Sequence, residues 1–453
     1  MRRSIALCAA AALLAAGCVG GTAPGTSPPG TGAGSPPASG ETPASSASGT
    51  VVLLEGIGED PSVSEPYAES VVAAFRAKYP NIDLQREAVE NDQLRTIIQT
   101  RLSSNDPPDL FGYDTGPGFG GVLANAGLVK DLGPYYEQFG WPHFDWAKTR
   151  CTYGGKVSCL PDQVEELIIY YNKAWFDSKG LAEPETLEDF DAIAEAAKAD
   201  GKIPLAYGNG GDDSWTSGHQ FSMTASNILG REGLDARIYG EEDWNTPEVV
   251  KAIEVFFKGF VDKEYFPPNP TALGYDDAND LFYSEQAVML PSGTWLSADM
   301  HQKADFEVGI FPFPSIDGSS ISPPSGVGGG MFMSANSDNP DAAAVVMDYY
   351  HSVERMQQRM EEQFVIPAYP IDATGLDLPP LFQEVLSDLA ESSGTSGTFG
   401  YNIDVLTPAG FNTVMAEGFQ QVMNGDRTPQ EQADALEEAF QEAFDAGETP
   451  KRP

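Results

Sequence analysis

The sequence predicts a two-lobed α/β protein with helices on both faces of each sheet. Short apolar runs suited to buried strands alternate with amphipathic stretches of about 10 to 16 residues, the pattern of right-handed βαβ units on a mainly parallel sheet. Roughly 400 residues follow a low-complexity leader, too many for one hydrophobic core. No internal repeat of the kind that builds a solenoid appears.

The chain opens "MRRSIALCAAAALLAAGC", two arginines before an apolar run far shorter than the roughly 20 residues that span a bilayer. This reads as a secretory signal over residues 1–17. Because it closes on Leu14-Ala15-Ala16-Gly17-Cys18, it resembles a bacterial lipoprotein signal, which makes Cys18 the lipidated first residue of the mature chain. Ala15 stands three positions before the cysteine, where leucine is usual, so plain secretion is the alternative. Arg2-Arg3 also leave a twin-arginine route open. Residues 18–49 are almost entirely Gly, Pro, Ser, Thr and Ala, with too little apolar surface to offset the entropy of ordering, and read as a disordered tether. A flexible coil of this length spans roughly 30 Å and lets an anchored domain stand off a membrane.

With 26 Lys+Arg against 67 Asp+Glu the net charge is −41. Nucleic acid and anionic lipid require basic patches and are poor partners for such a chain; no nucleic-acid partner is expected. Strong acidity suits a soluble extracellular monomer.

The elements then follow in order. Val51 to Ile57 is a strand, and "SEPYAESVVAAFRAKYP" places Tyr67, Val71, Ala74 and Phe75 on one helical face until Pro80 stops it. "IDLQREAVE" alternates as a strand does, "QLRTIIQTRLSS" aligns Leu94, Ile97, Ile98 and Leu102, and "PDLFGYD" begins the next strand. Farther on, Thr186, Thr246 with Pro247, and Asn339 with Pro340 mark helix starts, and Thr428-Pro429-Gln430-Glu431 opens the last helix with a capping box.

Cys151 and Cys159 are the only cysteines beyond the leader. They straddle a Gly154-Gly155 turn, which suits a disulfide across a hairpin in an oxidising compartment. Two thiols without nearby histidines fall short of a zinc site, and the spacing is too wide for a C-x-x-C redox pair.

Catalytic signatures are missing: there is no HExxH, GxSxG or GxxxxGK[ST]. His143, His219, His301 and His351 are scattered without ligand spacing and read as surface or packing residues. "SGVGGGMFMS" enters a strand and not a helix, so its glycines point to close backbone approach near a cleft. No cofactor or metal is expected.

The segments "FRAKYPNIDL", "PPDLFGYD", "LVKDL", "YGGKVSCLPDQVEELIIYYNKAWFDSKGL", "EPETLEDFDAIAEAAK", "SEQAVMLPSGTWLSAD", "FEVGIFPFP", "GGGMFMSANSDNPDAAA" and "VMNGDRTPQEQADALEEAF" occur in the order seen in family 1 extracellular solute-binding proteins. The chain resembles, over essentially residues 50 to 450, the carbohydrate receptors of ABC importers, a group that includes the maltose-binding protein. The resemblance implies a type II periplasmic-binding-protein-like fold with a sugar in the cleft between lobes. It also implies that lobe closure signals transmembrane permease subunits. One lobe is then residues 50–162 plus about 307–365, the other 163–306 plus about 366–453. "VEELIIYYNK" resembles the crossing strand between them, the chain returning through "FEVGIFPFP" and crossing again near Ile366-Pro367.

A sugar receptor needs carboxylates or amides for hydroxyls and aromatic planes for C–H faces. The resemblance places Trp295 where the family stacks a tryptophan on sugar. It places Glu165, six residues before Tyr171, in the cleft, and Tyr401 and Asp404 in a late loop that many relatives use. Trp215 lies in a Gly-rich turn; Tyr113 and Asp114 end a strand at the carboxyl edge where ligands bind open α/β sheets, and Glu59 and Asp60 occupy the equivalent edge after the first strand. Two other readings stay open. Adjacent tyrosines such as Tyr170 and Tyr171 also occur in ferric-ion receptors, and a secreted glycoside hydrolase would use paired carboxylates, although in so acidic a chain Glu165-Glu166 or Asp212-Asp213 alone specify nothing.

Overall fold

The computed structural model describes residues 46–57, 61–104, 106–392, 394, 397 and 399–450. The signal, Cys18, nearly all of the tether, and Glu59 and Asp60 lie outside the described residues.

Strands in the first half are β1 (Gly49–Ile57), β2 (Ile82–Glu90), β3 (Leu110–Asp114), β4 (Thr152–Tyr153), β5 (Lys156–Val157), β6 (Cys159–Pro161) and β7 (Gln163–Asn172). Those in the second half are β8 (Ile203–Leu205), β9 (Ala287–Gly293), β10 (Val308–Phe311), β11 (Pro324–Gly326), β12 (Gly329–Met333), β13 (Ile366–Pro367) and β14 (Gly400–Tyr401). The first sheet has the order β2-β1-β3-β12-β6, with β1 parallel to β2 and β3, and β12 antiparallel to its neighbours. The second has the order β14-β11-β7-β9-β8, with β10 and β13 also on β7. Here β7 opposes every strand it touches. Each sheet thus has one reversed strand, and these two, β7 and β12, carry the chain across or back between lobes.

Period-two alternation covers both faces of each sheet. In β1, Leu53 packs with Val71 and Phe75 of the helix Pro61–Lys78, whereas adjacent Leu54 packs on the other face with Leu94 and Ile98 of the helix Asn91–Leu102. In β7, Leu167 and Ile169 enter one core with Phe176 and Phe221, and Ile168 and Tyr170 enter another with Phe282 and Ile366. Fully burying each such side chain contributes about 1.5–3 kcal/mol, and each sheet has an apolar cluster on both of its faces.

Thr186 and Thr428 form capping boxes with Asp189 and Glu431. Thr246 and Asn339 make no cap bond through their side chains; Asn339 Nδ2 donates instead to the Thr50 carbonyl, tying its helix start to β1. Cys151 and Cys159 are disulfide-bonded across the β4–β5 hairpin, whose turn residues Gly154 and Gly155 both have positive φ, +56° and +79°. That geometry is the two-residue turn whose twist matches its strands.

One boundary moves. Val308–Phe311, expected to lie in the first lobe, pairs antiparallel with Ile169–Asn172 of β7 and belongs to the second sheet. The chain returns to the first sheet only between β11, which pairs with Glu165 and Glu166, and β12, which pairs with β3 and β6. An apolar strand with both faces covered reads alike in either sheet, so partner choice was invisible in the sequence. Ile366–Pro367 pairs with Val164 and Gln163 at the start of β7, alongside the crossing.

Candidate ligand-binding cleft

A cavity of about 1510 Å³ lies between the two sheets, lined from the first lobe by Tyr113, Asp114 and Phe119 and from the second by Trp215, Tyr275, Trp295 and Asp404, with Glu165 on the crossing strand between them. A volume above the usual 300–1,000 Å³ of small-molecule pockets suits an extended ligand.

Its aromatic wall is built by three chain turns. Trp295 follows β9 directly, Trp215 ends the short 3₁₀ turn Gly211–Trp215, and Tyr275 starts the helix Tyr275–Tyr283. Asp213 Oδ2 accepts the Tyr275 amide at 2.7 Å, which binds the second turn to the third. Trp295 Nε1 donates to the Tyr275 hydroxyl at 2.9 Å, and that hydroxyl lies 2.8 Å from Ser292 Oγ. The Trp215 ring sits 4.9 Å from Tyr275 and 5.0 Å from His219, which in turn lies 5.1 Å from Trp295. Trp295 is therefore held by its polar tip and a ring contact, Trp215 by ring contacts, and both border the cavity.

Carboxylates border the same cavity. Glu165 Oε1 accepts from Gln163 Nε2 at 3.1 Å. Burial, reinforced by repulsion from Asp114, Asp162 and Asp404, pushes the Glu165 carboxyl up to about 7. The backbone of Gly328 comes close enough that a β-carbon there would lie 1.9 Å from Glu165 Oε2, so the glycine run does provide close approach at a cleft. Asp404 Oδ2 is 3.5 Å from His219 Nε2. Asp114 is engaged by Arg95 at 2.9 Å.

Of the residues singled out from sequence, Trp295, Glu165, Trp215, Tyr113, Asp114 and Asp404 all border this one cavity. Tyr401 does not: its ring is buried, its hydroxyl donates to Asp235 and accepts from Arg231, and the Arg150 and Arg231 guanidinium groups lie 5.0 and 4.4 Å from the ring centroid. Its neighbour Asn402, just beyond the end of β14, borders the cavity instead. Asp60 lies outside the described residues. Sequence reasoning missed Tyr275, His219 and Asn402. His219 was read as a surface or packing residue and does pack, but between the two indoles at the cavity wall. Only its place four residues after Trp215 on one helix face hinted at this.

The adjacent tyrosines do not converge on an ion. The Tyr170 hydroxyl donates to the Gly293 carbonyl within one core, and the Tyr171 hydroxyl donates to Glu183 on the opposite face. Among the described residues no group of three or more His, Cys, Asp or Glu could hold a metal ion.

Two α/β lobes on crossing strands, with a polar and aromatic cleft at the crossing, define a type II periplasmic-binding-protein fold, a ligand receptor architecture. The chain belongs to the family of bacterial extracellular solute-binding proteins, whose pattern it matches over residues 60–356. It is 26% identical over 256 residues to the multiple sugar-binding protein of Streptococcus mutans, covering 54% of this chain and 58% of that one. The chain spans little more than half the length of the first curated relatives it matches. Among solved structures it resembles a chitin oligosaccharide binding protein (TM-score 0.78, 22% identity, 87% of this chain and 99% of the other). It also resembles the maltose/maltodextrin-binding domain from Bdellovibrio bacteriovorus bound to maltotriose (TM-score 0.68, 19% identity, 87% and 100%).

Proposed function

We propose that this chain is the capture receptor of an ABC importer for a mono- or oligosaccharide, holding it between the lobes and delivering it to membrane permease subunits without chemical change. The observation that carries this reading is one interlobe cavity bordered both by the rings of Trp215, Tyr275 and Trp295 and by the carboxylates of Glu165 and Asp404. Ring faces suit the C–H faces of pyranoses, and carboxylates accept from their hydroxyls in charge-assisted bonds. A relative described as a multiple sugar-binding protein and neighbours described as binding chitin oligosaccharide and maltotriose point the same way.

Placement follows from the same reading. The protein acts as an extracytoplasmic monomer anchored through lipid on Cys18, with residues 18–49 as its tether. Among the described residues no helix is long and apolar enough to cross a membrane. The direct test is thermal unfolding of the purified protein against a panel of mono- and oligosaccharides. A ligand at a hundred times its Kd that binds only the native state adds about 2.7 kcal/mol. If no sugar raises the midpoint while another solute does, the sugar reading fails. Release of reducing ends from an oligosaccharide would favour a hydrolase instead.

A further inference from the structure

The polar groups at the aromatic end of the cleft are unequal in kind. Glu165, Asp213, Asp276 and Asp404 border it, and no lysine does among the described residues. The bordering arginines already have partners, several of them carboxylates of the same lining. Arg86 is held by Glu55 at 2.6 Å and Glu65 at 2.7 Å, Arg95 by Asp114 at 2.9 Å, and Arg359 by Asp162 at 2.9 Å. Arg355 lies 5.7 Å from the centroid of the Tyr349 ring.

Hydrogen-bond capacity is equally one-sided. Asp404 Oδ1 is buried without a partner, although its other oxygen is 3.5 Å from His219. Asn402, only 4% exposed and bordering the same cavity, also has an Oδ1 without a partner. Buried acceptors left without donors are costly, and native structures seldom keep them. A neutral hydroxyl brings one donor together with acceptors; an ammonium brings three donors, no acceptor and a positive charge.

Resting on the sugar reading above, we propose that the cleft prefers a sugar bearing a protonated amine, an amino sugar or its oligomer, over the same sugar with the amine acylated or replaced by hydroxyl, and excludes carboxylated or phosphorylated sugars. The ammonium sits against Asp404 and Glu165, donates to Asn402, and faces the rings of Trp215 and Trp295, where a cation gains from the aromatic quadrupole. It also offsets the repulsion of Glu165 by Asp404, one of the causes that raise the Glu165 carboxyl. A sugar carrying an anion would add to that repulsion.

The test is calorimetric titration of the whole protein with glucosamine, galactosamine and their oligomers, each paired with its N-acetylated and parent neutral sugar. The amino form should bind at least about tenfold tighter than either counterpart, a difference of 1.4 kcal/mol. The preference should shrink as salt rises from ~50 to ~300 mM, through screening of the charge attraction. Asp404→Asn should cut the preference to within about threefold, and Asn402→Asp, an independent variant that adds a carboxylate, should widen it. Equal or tighter binding of the neutral forms overturns the proposal while leaving the sugar reading standing. A preference unmoved by both variants overturns it too. Binding of no sugar at all defeats both readings.

Discussion

Glu165 occupies the space that a side chain at position 328 would fill: a β-carbon on Gly328 would lie 1.9 Å from Oε2 and 2.7 Å from the carboxyl carbon. The two residues come from the first and second crossings of the chain, β7 and the β11–β12 connection, so the carboxylate is aimed at the cleft by backbone from both passages. Gly328→Ala should displace it, weakening sugar binding by about as much as Glu165→Gln, for which loss of a charge-assisted bond costs about 1.5–3 kcal/mol. Calorimetry on the two single variants and the double checks this; additive losses would show that position 328 acts other than through Glu165.

Trp295→Ala should lower affinity at least about thirtyfold, because truncating a buried aromatic anchor commonly costs more than 2 kcal/mol. Its ring also meets two apolar clusters, so urea unfolding of the ligand-free variant is the control. A loss of about 3–5 kcal/mol in stability with normal binding would mark the residue as core alone.

Removing the disulfide with Cys151→Ala and Cys159→Ala should cost about 2 to 3 kcal/mol, the chain-entropy value for so short a loop. Both cysteines are fully buried beside Leu54, Phe111 and Phe332. Unfolding of parent and double variant, with and without reductant, separates the bridge from the packing.

Acid should weaken the fold through His143. Burial first, and the nearby His351 second, hold His143 down at about 3 against an ordinary 6.5, and burial lowers His351 as well. Between pH 6.5 and 3 the unfolded chain takes up a proton that the native one refuses. Stability from these groups is therefore complete above 6.5 and declines as pH falls, by about 1.4 kcal/mol per unit for each histidine. The raised carboxyls of Glu165 and Glu166 act with opposite sign, losing stability as pH rises above their ordinary range. Denaturant unfolding of the parent and His143→Phe isolates the histidine: the parent should lose more between pH 7 and 4.5.

Cys18→Ala should release the protein from cells into the medium. Equal membrane association of variant and parent in cell fractionation would mean that the leader anchors nothing through that cysteine.

Much was legible because it depends on local chemistry. Alternation of apolar residues in β1 and β7, the threonine caps of two helices, and the Gly154-Gly155 turn between two cysteines each state a backbone preference within a few neighbours. Six of the residues that border the cavity could be named because they follow strand ends, a motif order or, for Trp215, a Gly-rich turn, and strand ends are where open sheets bind ligands. What escaped was pairing between distant segments. Val308–Phe311 could serve either sheet until its partner on β7 was known. Tyr401 ends β14 and Asn402 follows it, and only the tertiary packing decided that the amide borders the cleft while the phenol is taken by Arg231 and Asp235. His219 became a wall residue only when Trp215 and Trp295, eighty positions apart, closed on its ring. Local propensity is written in neighbouring residues; a cleft between lobes is made by contacts across the whole chain, whose geometry no short stretch contains.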